Sequence, residues 1–148
     1  MIAVTGATGH IGNVLVRKLL ARGETVRAIV PPFEELKPLE ELEVEILEGD
    51  VRNVDSLIKA FNGADIVYHL AGIVTILSGN DDFLYEVNVK GTKNVVDACL
   101  KNNVKRLVYA SSVHALKEPP QGTAIDETCG YDAECTMGSY GKSKTLHH

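Results

Sequence analysis

Gly6, Gly9 and Gly12 stand at three-residue intervals just after the apolar run Ile2-Ala3-Val4, inside the string Thr5-Gly6-Ala7-Thr8-Gly9-His10-Ile11-Gly12. No other feature of the chain narrows its fold so far. Beyond the string, Ile11, Val14, Leu15, Leu19 and Leu20 recur at helical spacing up to Gly23, a suitable C-terminal stop. The order is strand, glycine turn, helix. Glycines at such a turn let the chain reverse tightly and let a second backbone come close, while the first turn of the helix presents amides with no partner of their own. Those amides suit a pyrophosphate, and Gly6, Thr8, Gly9, His10, Ile11 and Gly12 are the expected cradle for a dinucleotide.

The same alternation continues. Val26 to Val30 is an apolar strand stopped by Pro31-Pro32, and the polar stretch Glu34 to Glu43, with scattered leucines, is expected to hold a short helix. Val44 to Leu47 is the third strand, ending at Gly49-Asp50. Asn53 or Asp55 can then cap a helix through Leu57, Ile58 and Phe61 that stops at Gly63. Ile66 to Leu70 is a fourth, buried strand. From about Asp82 to Asn102, Phe83, Val87, Val95 and Cys99 fall near one helical face, and Arg106 to Ala110 is the fifth strand. Strands that alternate with helices and are nearly continuous in apolar residues imply an α/β fold. The expected form is a doubly wound parallel sheet, the Rossmann architecture, in one domain over residues 1–148. Glu118 to Met137 has no periodicity and reads as a long loop.

Composition excludes several classes of function. Twenty acidic residues against fifteen basic ones leave a net charge of -5 with no basic cluster, so nucleic acid is not an expected partner. No apolar run approaches the roughly 18 residues of a membrane span. The apolar N-terminus reaches its glycine turn too soon for a signal peptide, and the expected location is the cytoplasm. Cys99, Cys129 and Cys135 form no CxxC pair and are odd in number, which reads as free thiols with neither a disulfide framework nor a metal site.

Near the other end, Tyr140 and Lys144 are four apart, so on a helix they share a face. A phenol with an ordinary pKa of about 10 is a weak acid or base at neutral pH, and an adjacent ammonium brings it toward the working range by stabilising the phenolate. The same lysine can hydrogen-bond a nicotinamide ribose. Ser111-Ser112 ends the fifth strand at the carboxyl edge of the sheet, where open α/β folds bind ligands, and a hydroxyl there can hold a substrate carbonyl. Together with the glycine turn, these residues describe hydride transfer to a small-molecule carbonyl with Tyr140 as the proton donor. Asp50-Val51 lies at the sheet edge where an adenine ring would sit. The position for a ribose-binding carboxylate, about 20 residues past the last glycine, holds Val30-Pro31-Pro32 instead. With neither a carboxylate nor an arginine there, and Arg27 nearby, the choice between NAD and NADP is open and leans to NADP. His114, Asp126 and Glu127 read as solvated or structural, and Tyr131, a second tyrosine for the acid, lacks a Lys four residues on.

With these motifs in place, the chain resembles the short-chain dehydrogenase/reductase superfamily, in particular its extended branch of nucleotide-sugar epimerases, dehydratases and dihydroflavonol-reductase-like enzymes. Thr5 to Gly12 matches the TGxxGxxG of that branch, Asp50-Val51 the adenine-contacting pair, and Tyr140 with Lys144 the catalytic pair. His69-Leu70-Ala71-Gly72 matches the motif after the fourth strand that borders the cofactor, through Leu70, Ala71 and Gly72. Asn88-Val89-Lys90-Gly91-Thr92 resembles the helix whose Asn supports a water-linked proton relay, which brings Asn88 into the catalytic set. In Tyr109-Ala110-Ser111-Ser112 the family pattern puts the catalytic hydroxyl on Ser112, with Ser111 as second choice.

What the resemblance implies is an NAD(P)-dependent oxidoreductase and a homodimer formed through helices after the fourth and fifth strands. A carbonyl reductase similar to dihydroflavonol 4-reductase comes first, a nucleotide-sugar epimerase or dehydratase second. A non-catalytic dinucleotide-binding sensor is the alternative of another class. Family members run about a hundred residues or more past the Tyr-xxx-Lys helix, whereas this chain continues for four residues past Lys144, so it reads as the front part of a longer enzyme. A helix cut that short is marginal alone, and Tyr140 and Lys144 are expected to be poorly ordered.

Overall fold

A computed structural model describes residues 1–74, 81–117, 120, 122–132 and 138–146. Its strands follow the apolar runs: β1 (Ile2–Thr5), β2 (Val26–Val30), β3 (Glu45–Glu48), β4 (Ile66–His69) and β5 (Arg106–Tyr109). All pair in parallel, in the order β3-β2-β1-β4-β5. The chain winds outward from β1 to β3, then crosses back to place β4 on the other side of β1. This reversal opens a crevice at the carboxyl ends of β1 and β4.

Alternation along the strands sorts the core into two layers. Ile2, Val4, Val26, Ala28 and Val30 turn to one face, where they meet Val16 and Leu19 of α1 (His10–Ala21) and Leu39. Ala3, Ile29 and Val67 turn to the other, against Leu57 and Ala60 of α2 (Val54–Ala60) and against Val95, Ala98 and Cys99 further on. Burial there pushes the Cys99 thiol up to about 11. The central strands are thus covered on both sides, as their apolar runs require. The edge strands are not: Ile46 in β3 and Val108 in β5 are each 36% exposed.

Asn53, rather than Asp55, caps α2, its side chain accepting from the Ser56 amide at 3.2 Å. Two expected helices take a different form. Between Glu34 and Glu43 only a 3-10 turn forms, at Lys37–Leu39, because Leu39 is its single buried residue and no apolar face exists to stabilise a longer helix. The helix expected from Asp82 is divided into α3 (Asp81–Leu84), a π-helical turn (Tyr85–Lys90) and α4 (Gly91–Lys101). The wider turn shifts the register, so that Leu84 is buried at 2% exposure and Phe83 turns outward at 46%.

The long loop is tied at its base by a bridge between Leu116 and Tyr131 and by the Lys117 amide donating to the Gly130 carbonyl at 2.8 Å. Cys135 and both ends of that loop lie outside the described residues. The last helix, α5 (Gly138–Thr145), does not stand alone despite its length. Ser143, Lys144 and Thr145 are buried. Asn88 Nδ2 donates to Ser143 Oγ at 3.1 Å, and Thr145 Oγ1 donates to the Ala115 carbonyl at 3.1 Å. Among the described residues no helix is long and apolar enough to cross a membrane.

Candidate functional site

A cleft of about 490 Å³ opens at the carboxyl edge of the sheet, within the size range of small-molecule sites. Its walls come from the turn after β1 (Thr5, Gly6, Thr8, Gly9), from Asp50, Val51 and Arg52 after β3, and from Leu70, Ala71, Gly72 and Ile73 after β4. Phe83 and Val87 close the outer side. Gly6 has a φ of +71°, and a methyl group on it would lie 2.6 Å from the Ala71 nitrogen, so the loops after β1 and β4 meet backbone to backbone. Gly12 is tighter still: its methyl would lie 2.0 Å from the Gly6 carbonyl oxygen. The N-terminus of α1 has no side-chain cap and no acidic residue in its first turn, which leaves its amides and its dipole to face an anion. A pyrophosphate fits this cradle. Of the six residues expected around it, Gly6, Thr8 and Gly9 line the cleft, and Gly12 is buried beneath. His10 and Ile11 are not on its walls; Ile11 is 68% exposed on the first turn of α1.

After β3, the Asp50 carboxylate accepts from the Arg52 amide at 2.9 Å and from Arg52 Nε at 3.0 Å. The Arg52 side chain holds it below the usual carboxylate range. The Arg52 guanidinium in turn lies 5.6 Å from the centre of the Phe83 ring, forming an outer lip. Val51 is buried against Gly91, and its carbonyl accepts from Asn94 Nδ2 at 2.9 Å.

Glu34 is among the wall residues that fall outside the sequence-based expectation. The Glu34 amide donates to the Pro31 carbonyl at 3.3 Å, closing a tight turn with Pro32 second and Phe33 third, the latter at a φ of +66°. That turn folds Glu34 back into the cleft, where Thr8 Oγ1 donates to its carboxylate at 2.8 Å. Pro32 is a turn signal, but a left-handed third position normally announces itself with Gly or Asn, not Phe. Arg27, the nearest basic residue considered for cofactor choice, is committed elsewhere. It donates to Glu45 at 2.8 Å and to the carbonyls of Ala60 and Asn62 at 2.9 and 2.7 Å.

At the β5 edge, Ser112 Oγ accepts from the His114 amide at 3.2 Å and caps a 3-10 turn at Val113–Ala115. The His114 ring meets the Tyr140 ring edge-on, centroids 6.0 Å apart. His114, read as solvated or structural, therefore joins the Ser112 turn to the Tyr140 helix. Lys144 is buried, which pushes its pKa down. Its Nζ donates to the Tyr109 hydroxyl at 3.1 Å and to the Ala110 carbonyl at 3.3 Å. Tyr109 is absent from the expected set, because its contact with Lys144 crosses from β5 to α5 and leaves no trace in local spacing. Asn88 is buried as well: its Oδ1 accepts from the Ile73 amide at 2.8 Å and its Nδ2 donates to the Ile73 carbonyl at 2.9 Å. With its bond to Ser143 it fastens the loop after β4 to α5.

Asn88, Ser112, Tyr140 and Lys144 do not line the cleft, yet two of them reach its inner end. A methyl group on Gly72 would lie 3.3 Å from Asn88 Oδ1 and 3.4 Å from Lys144 Nζ. Gly72 is thus the point where the glycine-turn cleft and the buried ammonium adjoin.

Residues 3–147 match the model of a family described as the 3-beta hydroxysteroid dehydrogenase/isomerase family. Sterol demethylase protein B of Methylococcus capsulatus is 42% identical over 121 residues, covering 82% of this chain and 37% of its own. Cinnamoyl-CoA reductase 1 of Petunia hybrida is 38% identical over 144 residues, covering 90% of this chain and 42% of its own. Among solved structures, a Thermus thermophilus UDP-glucose 4-epimerase complex with NAD superposes with a TM-score of 0.85 at 30% identity, over 99% of this chain and 48% of the other. The chain spans less than half the length of each of these proteins.

Proposed function

Because this chain belongs to the 3-beta hydroxysteroid dehydrogenase/isomerase family, we propose that it is the cofactor-binding and proton-donating domain, residues 1–148, of an NAD(P)-dependent oxidoreductase. Its substrate would be a small-molecule carbonyl, reduced to the alcohol, or the alcohol oxidised in reverse. The observation that carries this reading is the junction at Gly72, which sets a buried ammonium at the inner end of a cleft shaped for a dinucleotide.

A nicotinamide dinucleotide supplies the hydride when bound. The backbone of Gly6, Thr8 and Gly9 would hold the pyrophosphate, with the N-terminal end of α1, from His10 to Gly12, favouring its negative charge. Asp50 and Val51 border the adenine, and Leu70, Ala71 and Gly72 form the floor. Ser112 donates to the substrate carbonyl oxygen. Tyr140 gives that oxygen its proton, and Lys144 stabilises the phenolate left behind while holding the nicotinamide ribose. Asn88 supports this edge of the site and its proton relay by tying Ile73 to α5. Glu34 supports NAD over NADP, since its carboxylate can accept from ribose hydroxyls and repels a 2′-phosphate. The lean to NADP rests on the absence of such a carboxylate and on Arg27, which pairs with Glu45.

A carbonyl reductase of the dihydroflavonol-reductase type is the first form of this reading, favoured by the likeness to a cinnamoyl-CoA reductase. A nucleotide-sugar epimerase is the second, favoured by the likeness to an epimerase solved with NAD. We place the protein in the cytoplasm as a homodimer, with Val96 and Leu100 exposed on α4 as part of the contact. The test is NADH consumption by the purified protein against a panel of aryl and alicyclic ketones. Net consumption that Tyr140→Phe abolishes supports the reductase, and turnover of a sugar nucleotide without net consumption supports the epimerase. Equal activity in Tyr140→Phe would exclude both.

A further inference from the structure

Lys144 is held by β5, not by its own helix, and the group that holds it is itself oriented from behind. Thr92 Oγ1 donates its one proton to the Asn88 carbonyl at 2.7 Å, so at its other contacts it accepts. His69 Nε2, 3.0 Å away, is then the donor, and its Nδ1 lies within hydrogen-bond reach of Thr5 Oγ1 at 2.8 Å. Thr5 Oγ1 accepts in turn from the Ala71 amide at 3.3 Å, at the root of the glycine turn. The Tyr109 hydroxyl accepts from Lys144 Nζ at 3.1 Å. The His69 ring stacks on Tyr109, centroids 5.5 Å apart, while Lys144 Nζ sits 4.8 Å from the centre of the Tyr109 ring.

We propose that Tyr109 is a positioning residue for Lys144: its phenol, on a ring stacked against His69, holds the ammonium beside Gly72 at the inner end of the cleft. The proposal rests on the oxidoreductase reading for what Lys144 does, and not for how it is held. Burial raises the pKa of Tyr109, so it stays a neutral acceptor and does not compete with Tyr140 as a proton donor. Two tyrosines therefore flank one lysine with separate tasks. Among the described residues the titratable groups on this side include Tyr109 from β5, Tyr140 and Lys142 from α5 and Tyr85 from the π-helical turn, with His69 behind Tyr109 and His114 against Tyr140. Burial lowers the Lys144 pKa, and Asp81, Asp82, Glu86 and Lys90, on the elements packed against α5, are not among the causes of that shift.

Following the lysine Nζ resonances of the nitrogen-labelled protein against pH tests this directly. Tyr109→Phe removes the hydroxyl and keeps the ring, so the Lys144 ammonium should lose its proton about one pH unit lower than in the unaltered protein. Surface lysines Lys93 and Lys105 should not move. An unchanged Lys144 titration in a folded Tyr109→Phe protein overturns the proposal. Should that variant fail to fold, the unaltered protein decides: magnetisation transfer from Lys144 Nζ protons to the Tyr109 ring supports it, and transfer to the Tyr140 ring instead, or to neither, overturns it. None of these readouts needs turnover, so a protein that never consumes NADH would sink the oxidoreductase reading while leaving this one intact.

Discussion

The two halves of the site are held by different means. Around the glycine turn, backbone lies against backbone: Gly12 under Gly6, and Gly6 against Ala71, with no room for a single carbon. At the β5 and α5 edge, polar side chains do the holding, through Asn88 to Ile73 and Ser143 and through Tyr109 to Lys144. The first half tolerates no added atom at Gly6 or Gly12, and the second tolerates no lost hydrogen bond. A rigid cradle suits a ligand bound in one pose, while a side-chain network can respond to a proton.

The largest effect is expected on the side-chain half. Tyr140→Phe should lower kcat by about 100- to 10,000-fold with dinucleotide affinity nearly unchanged, as separate kinetic and binding titrations would show. A matched loss of both would mean that Tyr140 belongs to the cradle and the two halves are not separable. Gly12→Ala should act the opposite way, destabilising the fold by about 3 kcal/mol through overpacking and removing dinucleotide binding. Gly9→Ala, whose methyl would sit 3.4 Å from the Gly6 oxygen, should leave the melting temperature close to that of the unaltered protein. Similar melting curves for the two variants would contradict the backbone-contact explanation.

Smaller effects sharpen the contrast within the cleft. Glu34→Gln should reduce the preference for NAD over NADP by about tenfold, read as the ratio of the two dissociation constants; no change would remove Glu34 from the ribose site. Smallest is the Asp50–Arg52 pair. Arg52 lowers the Asp50 pKa in the folded state, so the pair contributes stability that is present above the unfolded carboxylate value and lost as pH falls through the lower, folded one. The pair is partly exposed, and the contribution should be under about 1 kcal/mol. Urea unfolding should show that acid-side loss in the unaltered protein and a shallower one in Arg52→Gln.

Much of this is legible in the residues. The glycine string after Val4 and the apolar runs at Val26, Ile66 and Arg106 carry the sheet, because local periodicity and turn chemistry agree there with the tertiary arrangement. What escapes depends on partners far apart in the chain. Glu34 enters the cleft through a left-handed Phe33, a conformation phenylalanine does not advertise. Phe83 and Leu84 exchange roles because a π-helical turn follows them, and a fixed period of 3.6 cannot register it. Tyr140 and Lys144 share a helix as their spacing requires, but spacing is silent on the third group, Tyr109, which comes from another element.

The most direct test is a calorimetric titration of NAD into the protein, repeated with Lys144→Met and Gly12→Ala. A cleft that ends at Lys144 predicts one site per chain, weakened about tenfold when the ammonium is removed and lost when Gly12 gains a methyl group. NAD that fails to bind the folded protein, or binds all three forms equally, would contradict it.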